Sequence, residues 1–557
     1  MDASTLINRR RNQTLYTWLN NKSAEKREQT NEKSNLVYIQ RTQGCPQYYQ
    51  SGKLIGDQCD PCVPSDYTLD EAVIMALEAL LIDGAGQNLG PTKCSRINYL
   101  WFLTIASGYN WISGASPIPG VKDGWDWTVH HPLTTDRSVF MFMNHLLIDI
   151  MPIFVPGYDT GALLFKEREA FDMSPEEQAT QWASVRIAGN YAGWRATWDI
   201  WYSNRQVDGS VAAASYVPTA APDLPNGATT LTAWDTAQDP GTFADPTKWT
   251  PLQLTNGGPR KNYYTWNWHD VATTCVSPVE DGTIIAAADA HFLANPIDRK
   301  ADLQAMLDIT DTLKTNEDKK MLAEFWAAGP YTISPPGMFL WFWKEYMLAT
   351  KKAHTQGLNS FFYSGLDLAI HLFEAGRMVW GVKKNHMEAR PIQEIRNLLR
   401  ADPVTQYDAT IPTIGQFWKP YQAPNFVTPP FADFPSGHSA FSQSFASVMT
   451  EWFGPDIPTV TTTRTDQQLL SPNLPTMATE QFCRFTFAPG SSGVEPGIVP
   501  TAPLTIGTTW TEWQDMADSA GISRQYGGIH ANSAHLGSKA LANALHAVIN
   551  TNWGIQK

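Results

Sequence analysis

The chain has 557 residues, 43% of them hydrophobic and 17% charged, and a formal net charge of −13. That length supports several domains and a large core that needs no covalent staples. The acidic balance argues against nucleic acid or an anionic membrane as main partner, because both select a basic face.

The opening MDASTLINRRRNQ lacks the apolar core of a signal peptide, and no apolar run reaches the roughly 18 residues of a membrane span. No membrane span and no visible signal peptide place the protein in the cytoplasm at face value. A periplasmic or secreted protein whose leader has been removed would begin the same way, so the compartment stays open. Of the six cysteines, Cys59 and Cys62 have zinc-knuckle spacing, but no second close pair follows. Disulfides or inert thiols are the better reading.

Residues 1–66 are polar, with charge runs such as KSAEKREQTNEK, and read as an N-terminal arm or wrapping segment. Residues 67–355 read as a helical N-terminal portion. It starts at TLDEAVIMALEALL, with Thr68 at a helix start and acids in the first turn. RSVFMFMNHLLIDIM and SVRIAGNYAGWRATWDIWYSNR follow; in the second, Trp194, Trp198 and Trp201 share one helical face and read as core. Residues 207–262 are rich in Pro, Thr, Gly, Asp and Ala and read as a loop insertion. Helical patterns resume at DGTIIAAADAHFLAN, DKKMLAEFWAAG and GMFLWFWKEYMLATKKA. Residues 356–557 read as a second helical portion, with a Pro/Thr loop at 455–476 and a short β-like patch at QFCRFTFAP. The expected fold is all-α, or mainly α: helical bundles in two four-helix-bundle-like halves, with long loops and minor β.

Three stretches of the last third carry chemistry. In KKNHMEARPIQEIR, Lys383 and Arg390 are spaced by close to two helical turns, which predicts one face, although Pro391 disturbs a helix there. In FPSGHSAFSQSFASVM, Pro435 and Gly437 set a turn into a helix whose free N–H groups form an anion site. Ser436 adds a hydroxyl there, and His438 adds a group that titrates near neutral pH. In SRQYGGIHANSAH, a loop with Gly527 and Gly528 can bring Arg524 and His530 to one point. Each stretch alone has a plainer reading: a solvated basic face, a capping turn, a helix ended by glycine. Together they supply more cationic donors than a metal cation tolerates. They suit a tetrahedral oxyanion, for which charge-assisted hydrogen bonds are strongest.

The order K-x6-R-P, P-S-G-H, S-R-x5-H resembles the signature shared by vanadium-dependent haloperoxidases and acid phosphatases of the type 2 phosphatidic acid phosphatase group. Here it spans Lys383 to Arg390-Pro391, Pro435-Ser436-Gly437-His438, and Ser523-Arg524 to His530. The helical N-terminal portion, with EFWAAGPYTISPPGMF ahead of the motifs, is similar to the larger haloperoxidases. The resemblance implies one vanadate per chain, with vanadium(V) ligated by His530. Lys383, Arg390, Ser436, Gly437, His438 and Arg524 would bind the vanadate, with His438 and Lys383 as catalytic groups. Trp380 and Phe431 would line the halide side, as aromatic residues do in chloroperoxidases. The implied partners are hydrogen peroxide, halide ions and a small organic acceptor, and a homo-oligomer is left open. The product would be hypohalous acid from bromide or iodide, and from chloride as well.

Two other readings share these residues. One is an acid phosphatase with His530 as nucleophile and His438 protonating the leaving alcohol. The other is a non-enzymatic oxyanion-binding helical protein. Two positions depart from the family pattern. Relatives often carry an acid four positions after the metal-binding histidine, where this chain has Ala534, and many carry Asp at the position of Ala328. Asp433 and Glu388 are the candidates to replace them, by sequence proximity.

Overall fold

The computed structural model describes residues 38–42, 45–50, 53–57, 68–114, 125–219, 223–235, 240–273, 275–408, 411–460, 476–477 and 482–555. Most of the expected arm at 1–66 lies outside them, as do Cys59 and Cys62. Three of its stretches pair as an antiparallel sheet, β1 (Tyr38–Thr42), β2 (Cys45–Gln50) and β3 (Lys53–Asp57), which the polar composition did not announce. Cys94, Cys275 and Cys483 are buried and belong to no disulfide among the described residues.

The protein is mainly α. Helix α1 (Leu69–Gly86) begins at Thr68 as expected, and α2 (Pro91–Ser113) follows. Helix α3 (Asp136–Phe154) starts at Thr135 with a capping box in which Thr135 and Ser138 satisfy each other's N–H groups. By length and apolar composition α3 could cross a membrane, but 56% of its apolar window is buried within the protein. Next come α4 (Thr160–Phe171), α5 (Pro175–Ala188) and α6 (Tyr191–Arg205). The stretch SVRIAGNYAGWRATWDIWYSNR, read from sequence as one helix, is therefore two. The break falls at Gly189 and Asn190; Asn190 takes φ +45°, a conformation that Asn tolerates better than most residues. Trp194, Trp198 and Trp201 are buried, as their shared face required.

The segment 207–262 is more than a loop. It holds α7 (Ser210–Ser215) and the short strands β4 (Leu231–Thr232), β5 (Leu252–Gln253) and β6 (Arg260–Lys261) in one sheet. Beyond it run α8 (Pro278–Asp289), α9 (Pro296–Asp311), α10 (Glu317–Phe325), α11 (Ser334–Thr350) and the single turn α12 (Lys352–Thr355). Helix α13 (Gly357–His386) is 30 residues long and is buried continuously from Phe361 to Lys383. A helix buried on every side, here with the charged Asp367, Glu374, Arg377 and Lys383 among its buried residues, belongs in the interior of a bundle. Gly365 lets it lie close to α2: a Cβ there would come within 2.4 Å of the Phe102 ring.

The remaining elements are α14 (Pro391–Leu398), strands β7 (Pro403–Val404) and β8 (Thr413–Ile414), α15 (Gly437–Phe453), strand β9 (Thr476–Met477), β10 (Phe485–Phe487) with β11 (Leu504–Ile506), α16 (Trp513–Tyr526) and α17 (Asn532–Trp553). Strand β10 is the β-like patch expected at QFCRFTFAP.

Contacts divide the chain into two compact units. One comprises residues 1–87, 107–115 and 129–197; the other comprises 88–106, 116–128 and 198–557. Every motif residue lies in the second. Within it, α15 is cross-linked to α16 by Ser442 Oγ donating to Ala517 O at 3.0 Å, and Gly376 of α13 faces the Phe441 ring of α15. Apolar residues of α9 and α14 share one cluster that includes Leu303, Met306, Leu307, Ile392 and Ile395. Burying each such side chain contributes about 1.5–3 kcal/mol, so these contacts hold the helix ends that build the site.

Candidate active site

Lys383 and Arg390 do not share a helix face. Helix α13 ends at His386, and Met387 turns left-handed at φ +50° with its N–H on Lys383 O at 2.9 Å. Arg390 is the residue before Pro391, in extended conformation at the head of α14, as a residue preceding proline prefers. The two cations meet because the chain turns between them. Segment 247–249 fixes that turn: Trp249 N–H donates to Met387 O (2.7 Å), and Ala389 N–H donates to Thr247 O (2.8 Å). The insertion that looked peripheral in sequence thus braces the site.

Lys383 is fully buried; its Nζ donates to Ala432 O at 2.7 Å and to Asp433 O at 2.8 Å. Arg390 Nε donates to Phe431 O at 2.6 Å, and Nη1 donates to Ile529 O at 2.9 Å. The Phe431 ring lies 5.3 Å from Lys383 Nζ and 4.8 Å from Arg390 Cζ, a cation–π platform for both. The Trp380 ring stands 4.9 Å from that of Phe431, with its Nε1 donating to Tyr264 O at 2.9 Å. The aromatic pair is therefore real packing, and it also forms a wall beside the cations.

Ser436 caps α15, its hydroxyl accepting from Ser439 N–H at 3.4 Å. Gly437 and His438 occupy the first turn, where backbone N–H groups have no partner within the helix. A Cβ on Gly437 would sit 3.8 Å from the Trp380 ring, so this turn adjoins the aromatic wall. Arg524 is at the end of α16, donating from Nη2 to Ala323 O at 2.6 Å. Gly528 at φ +67° reverses the chain after α16, with Ile529 N–H bonded to Arg524 O at 3.1 Å, and this delivers His530.

His530 has two differently occupied nitrogens. Nδ1 lies 2.5 Å from Asp433 Oδ1, and Nε2 lies 3.1 Å from Arg390 Nη1, from which it accepts. Nδ1 therefore carries the hydrogen and Nε2 is the bare nitrogen. Burial, opposed by Asp433 and helped by Arg390 and Lys383, pushes the imidazole down to about 3 and keeps it neutral. Burial works against ionisation of Asp433, but His530, Arg299 and Arg390 overcome it and hold the carboxyl below the usual range. His438 is also held well below its ordinary value by burial and by Arg524 and His530.

The cations pay no comparable compensation among themselves. Burial and Arg390 push Lys383 well below the ordinary lysine range; burial takes Arg390 down to about 10, and burial with Arg390 takes Arg524 to about 9. Lys383 and Arg390 thus share the carboxylates of Asp433 and Glu388 with Arg299, and the burial of Arg524 is compounded by Arg390. Such a cluster is a strong electrostatic sink for an anion.

All nine sequence-selected residues converge on this one region. Sequence reasoning missed Arg299, which contacts Asp433 Oδ2 at 2.9 Å, and Glu394, which pairs with Arg299 at 2.6 Å. The signal was available: Arg299 stands on the same helical stripe as Leu303, Met306, Leu307 and Thr310, a charge where an apolar residue belongs. Of the two carboxylates named by proximity, Asp433 is on His530, whereas Glu388 faces Arg299 at 3.3 Å.

Residues 364–551 match the family described as the VCPO second helical-bundle domain. The protein is similar in structure to a holo-type bacterial vanadium-dependent chloroperoxidase, with a TM-score of 0.54 at 15% identity over 84% of this chain and 94% of that one. The chain has a vanadium haloperoxidase-type fold. A bacterial vanadium-dependent iodoperoxidase matches it as well, with a TM-score of 0.53 at 14% identity, covering 88% of this chain and 98% of that one. No curated protein sequence matches it. The haloperoxidase-type fold agrees with the mainly α expectation, and the matched helical-bundle domain spans all nine residues selected from the sequence.

Proposed function

We propose that the protein is a vanadium-dependent haloperoxidase that converts hydrogen peroxide, halide and a proton into hypohalous acid and water. The observation that carries this reading is the pairing of a buried cation cluster with a neutral histidine whose bare Nε2 faces it. The donor set fits a tetrahedral oxyanion. Among the described residues, Arg390 Nη2 and His438 Nε2 are buried without a hydrogen-bond partner, and the α15 terminus adds N–H groups of its own. Lys383, Arg390, Ser436, Gly437 and Arg524 would hold the oxygens of vanadate, and His530 Nε2 would hold the metal. Bound vanadate supplies a Lewis acid that activates peroxide toward halide with no change of oxidation state.

The chain's own groups do the rest. Lys383 and the arginines draw negative charge toward one wall of the site. His438, neutral at Nε2, accepts and returns a proton close to that wall. Trp380 and Phe431 exclude water beside those cations and keep the local dielectric low, which strengthens their pull. That combination suits the less readily oxidised halides, so chloride is included with bromide and iodide. A small organic molecule then takes up the halogen.

The same donors suit phosphate, and the structural likeness to haloperoxidases along nearly the whole chain is what favours halide oxidation over ester hydrolysis. The experiment strips the protein in phosphate-free chelating buffer and adds orthovanadate. Peroxide-dependent halogenation of a diketone should return with vanadate and be suppressed by phosphate. Hydrolysis of a phosphate ester by the stripped protein, with no halogenation after vanadate, would assign the site to phosphatase chemistry instead.

A further inference from the structure

Arg299 belongs to none of the three motifs, yet it organises the residues behind them. It lies on α9 and is 3% exposed. Nη2 reaches Glu394 Oε2 at 2.6 Å, Asp433 Oδ2 at 2.9 Å and Glu388 Oε2 at 3.3 Å. Nε also donates to Glu394 Oε2 at 2.9 Å, and Nη1 donates to Ser533 Oγ at 3.3 Å, three residues after His530. A single guanidinium thus joins the head of α14, the loop before α15 and the start of α17.

The division of labour on Asp433 is specific. Oδ2 is on Arg299, and Oδ1 is on His530 Nδ1. A carboxylate free to rotate would present either oxygen, or neither, to the imidazole. Arg299 Nη2, itself fixed by the planar fork that Nε and Nη2 place on Glu394 Oε2, holds Oδ2 and removes that freedom. The orientation matters because the hydrogen on Nδ1 decides which nitrogen is bare, and a histidine ligand depends on the group that holds its other nitrogen.

We propose that Arg299 is a positioning residue for His530: by fixing the Asp433 carboxylate it holds the Nδ1 hydrogen in place and leaves Nε2 free to ligate vanadium. This rests on the haloperoxidase reading for the metal, but not for the state of the imidazole. Arg299 touches none of the anion's donors directly and reaches His530 through Asp433; its other carboxylates, Glu388 and Glu394, are neutralised in the triple variant below.

The test must separate positioning from folding. Arg299→Gln alone would leave several buried carboxylates without a counter-charge, so it is combined with Glu388→Gln and Glu394→Gln. Arg299→Lys is the second variant; it keeps the charge and loses the fork. Vanadate and inorganic phosphate affinities are measured by equilibrium dialysis on the stripped protein. The tautomer of His530 is read by nitrogen NMR of histidine-labelled protein, assigned with His530→Gln. The triple variant should lose about 10–100-fold in vanadate affinity, the usual cost of removing a ligand's supporting partner. Phosphate affinity, which uses the cations and not Nε2, should hardly move. Arg299→Lys should shift in the same selective way by less. The resonance of a single Nδ1-protonated His530 should give way to a tautomer mixture. Equal losses for both anions, or an unchanged tautomer in both variants, would overturn the proposal. Wild-type protein that binds the two anions equally would count against the haloperoxidase reading, while the tautomer measurement still decides the role of Arg299.

Discussion

Replacing Lys383 with methionine separates a binding cation from a structural one. In the protein as it stands, Nζ is bonded to Ala432 O and Asp433 O, which by itself would suit a lysine that merely ties down a loop. Methionine keeps the stem and its place over Phe431 but leaves both carbonyls without that donor. Each orphaned group costs about 1–3 kcal/mol, so about 2–6 kcal/mol in total. Against this, removing a fully buried ammonium returns a desolvation cost of several kcal/mol and ends its repulsion with Arg390. The two terms are of similar size, and Lys383→Met should change unfolding free energy by no more than about 2 kcal/mol. Anion affinity has no such offset. Losing one charge-assisted bond costs about 1.5–3 kcal/mol, or about 10–150-fold in Kd for vanadate and phosphate alike. Urea unfolding of the stripped protein and equilibrium dialysis of each anion supply both numbers. A variant destabilised by about 4 kcal/mol or more with full anion affinity would make Lys383 a loop tether and refute the reasoning.

His530→Ala should abolish vanadate binding while phosphate still binds; dialysis that finds vanadate held as tightly as in the wild type would remove His530 as the ligand. His438→Ala should keep vanadate bound and lose about 10²–10⁴-fold in kcat, the typical worth of acid–base help, seen in steady-state halogenation of the diketone. Phe431→His should weaken chloride oxidation more than bromide oxidation, by wetting the wall and by removing the ring beneath Lys383 and Arg390; parallel assays in bromide-free salt check it, and an unchanged chloride-to-bromide ratio would leave the ring as packing. Stability should fall on acidification. His535, pushed down to about 4 by burial, and His438 and His530, lowered likewise, take up protons on unfolding below their ordinary value of 6.5, so stability is lost as pH drops. Glu394, raised by burial to about 7, binds its proton more tightly when folded and opposes the loss down to its ordinary value of 4.5. Three histidines against one glutamate leave a net fall that begins below about pH 6.5 and steepens below about 4.5, which denaturant midpoints at stepped pH should show; a midpoint that rises towards pH 4 would contradict these environments.

The motif residues were legible because an anion site constrains local backbone. A Ser-Gly-His turn at a helix start, a Gly-Gly turn ahead of a histidine and a proline after an arginine each leave a mark within a few residues of chain. The helices with clear apolar periods were legible for the same reason, as at Leu69–Gly86 and Gly357–His386. What failed was reasoning from spacing across a turn. Spacing puts Lys383 and Arg390 on one face, but the left-handed Met387 ends the helix between them, and non-glycine residues announce such a turn weakly. The pairing of 247–249 with Met387 and Ala389 is a contact far apart in sequence, and no local pattern encodes it.

The counter-charges were illegible for a different reason, and it bears on how departures from a family pattern should be weighed. An oxyanion's donors must converge on fixed directions, so their residue types and order are tightly constrained. A carboxylate that supports the ligand histidine has only to reach Nδ1, from whichever element happens to adjoin it. Here Ala534 follows His530 where an acid was expected, and the support comes instead from Asp433, in the loop ahead of α15. That carboxylate is held in turn by Arg299 from α9, a helix outside the three motifs. Ala328 therefore need not signal a weakened site either: burial of an arginine among Asp433, Glu388 and Glu394 supplies negative charge behind the histidine without an acid at 328. On this argument the two alanines say where the support is not drawn from, and the strength of the site is set by how rigidly the Arg299–Asp433 pair holds its one free oxygen on His530.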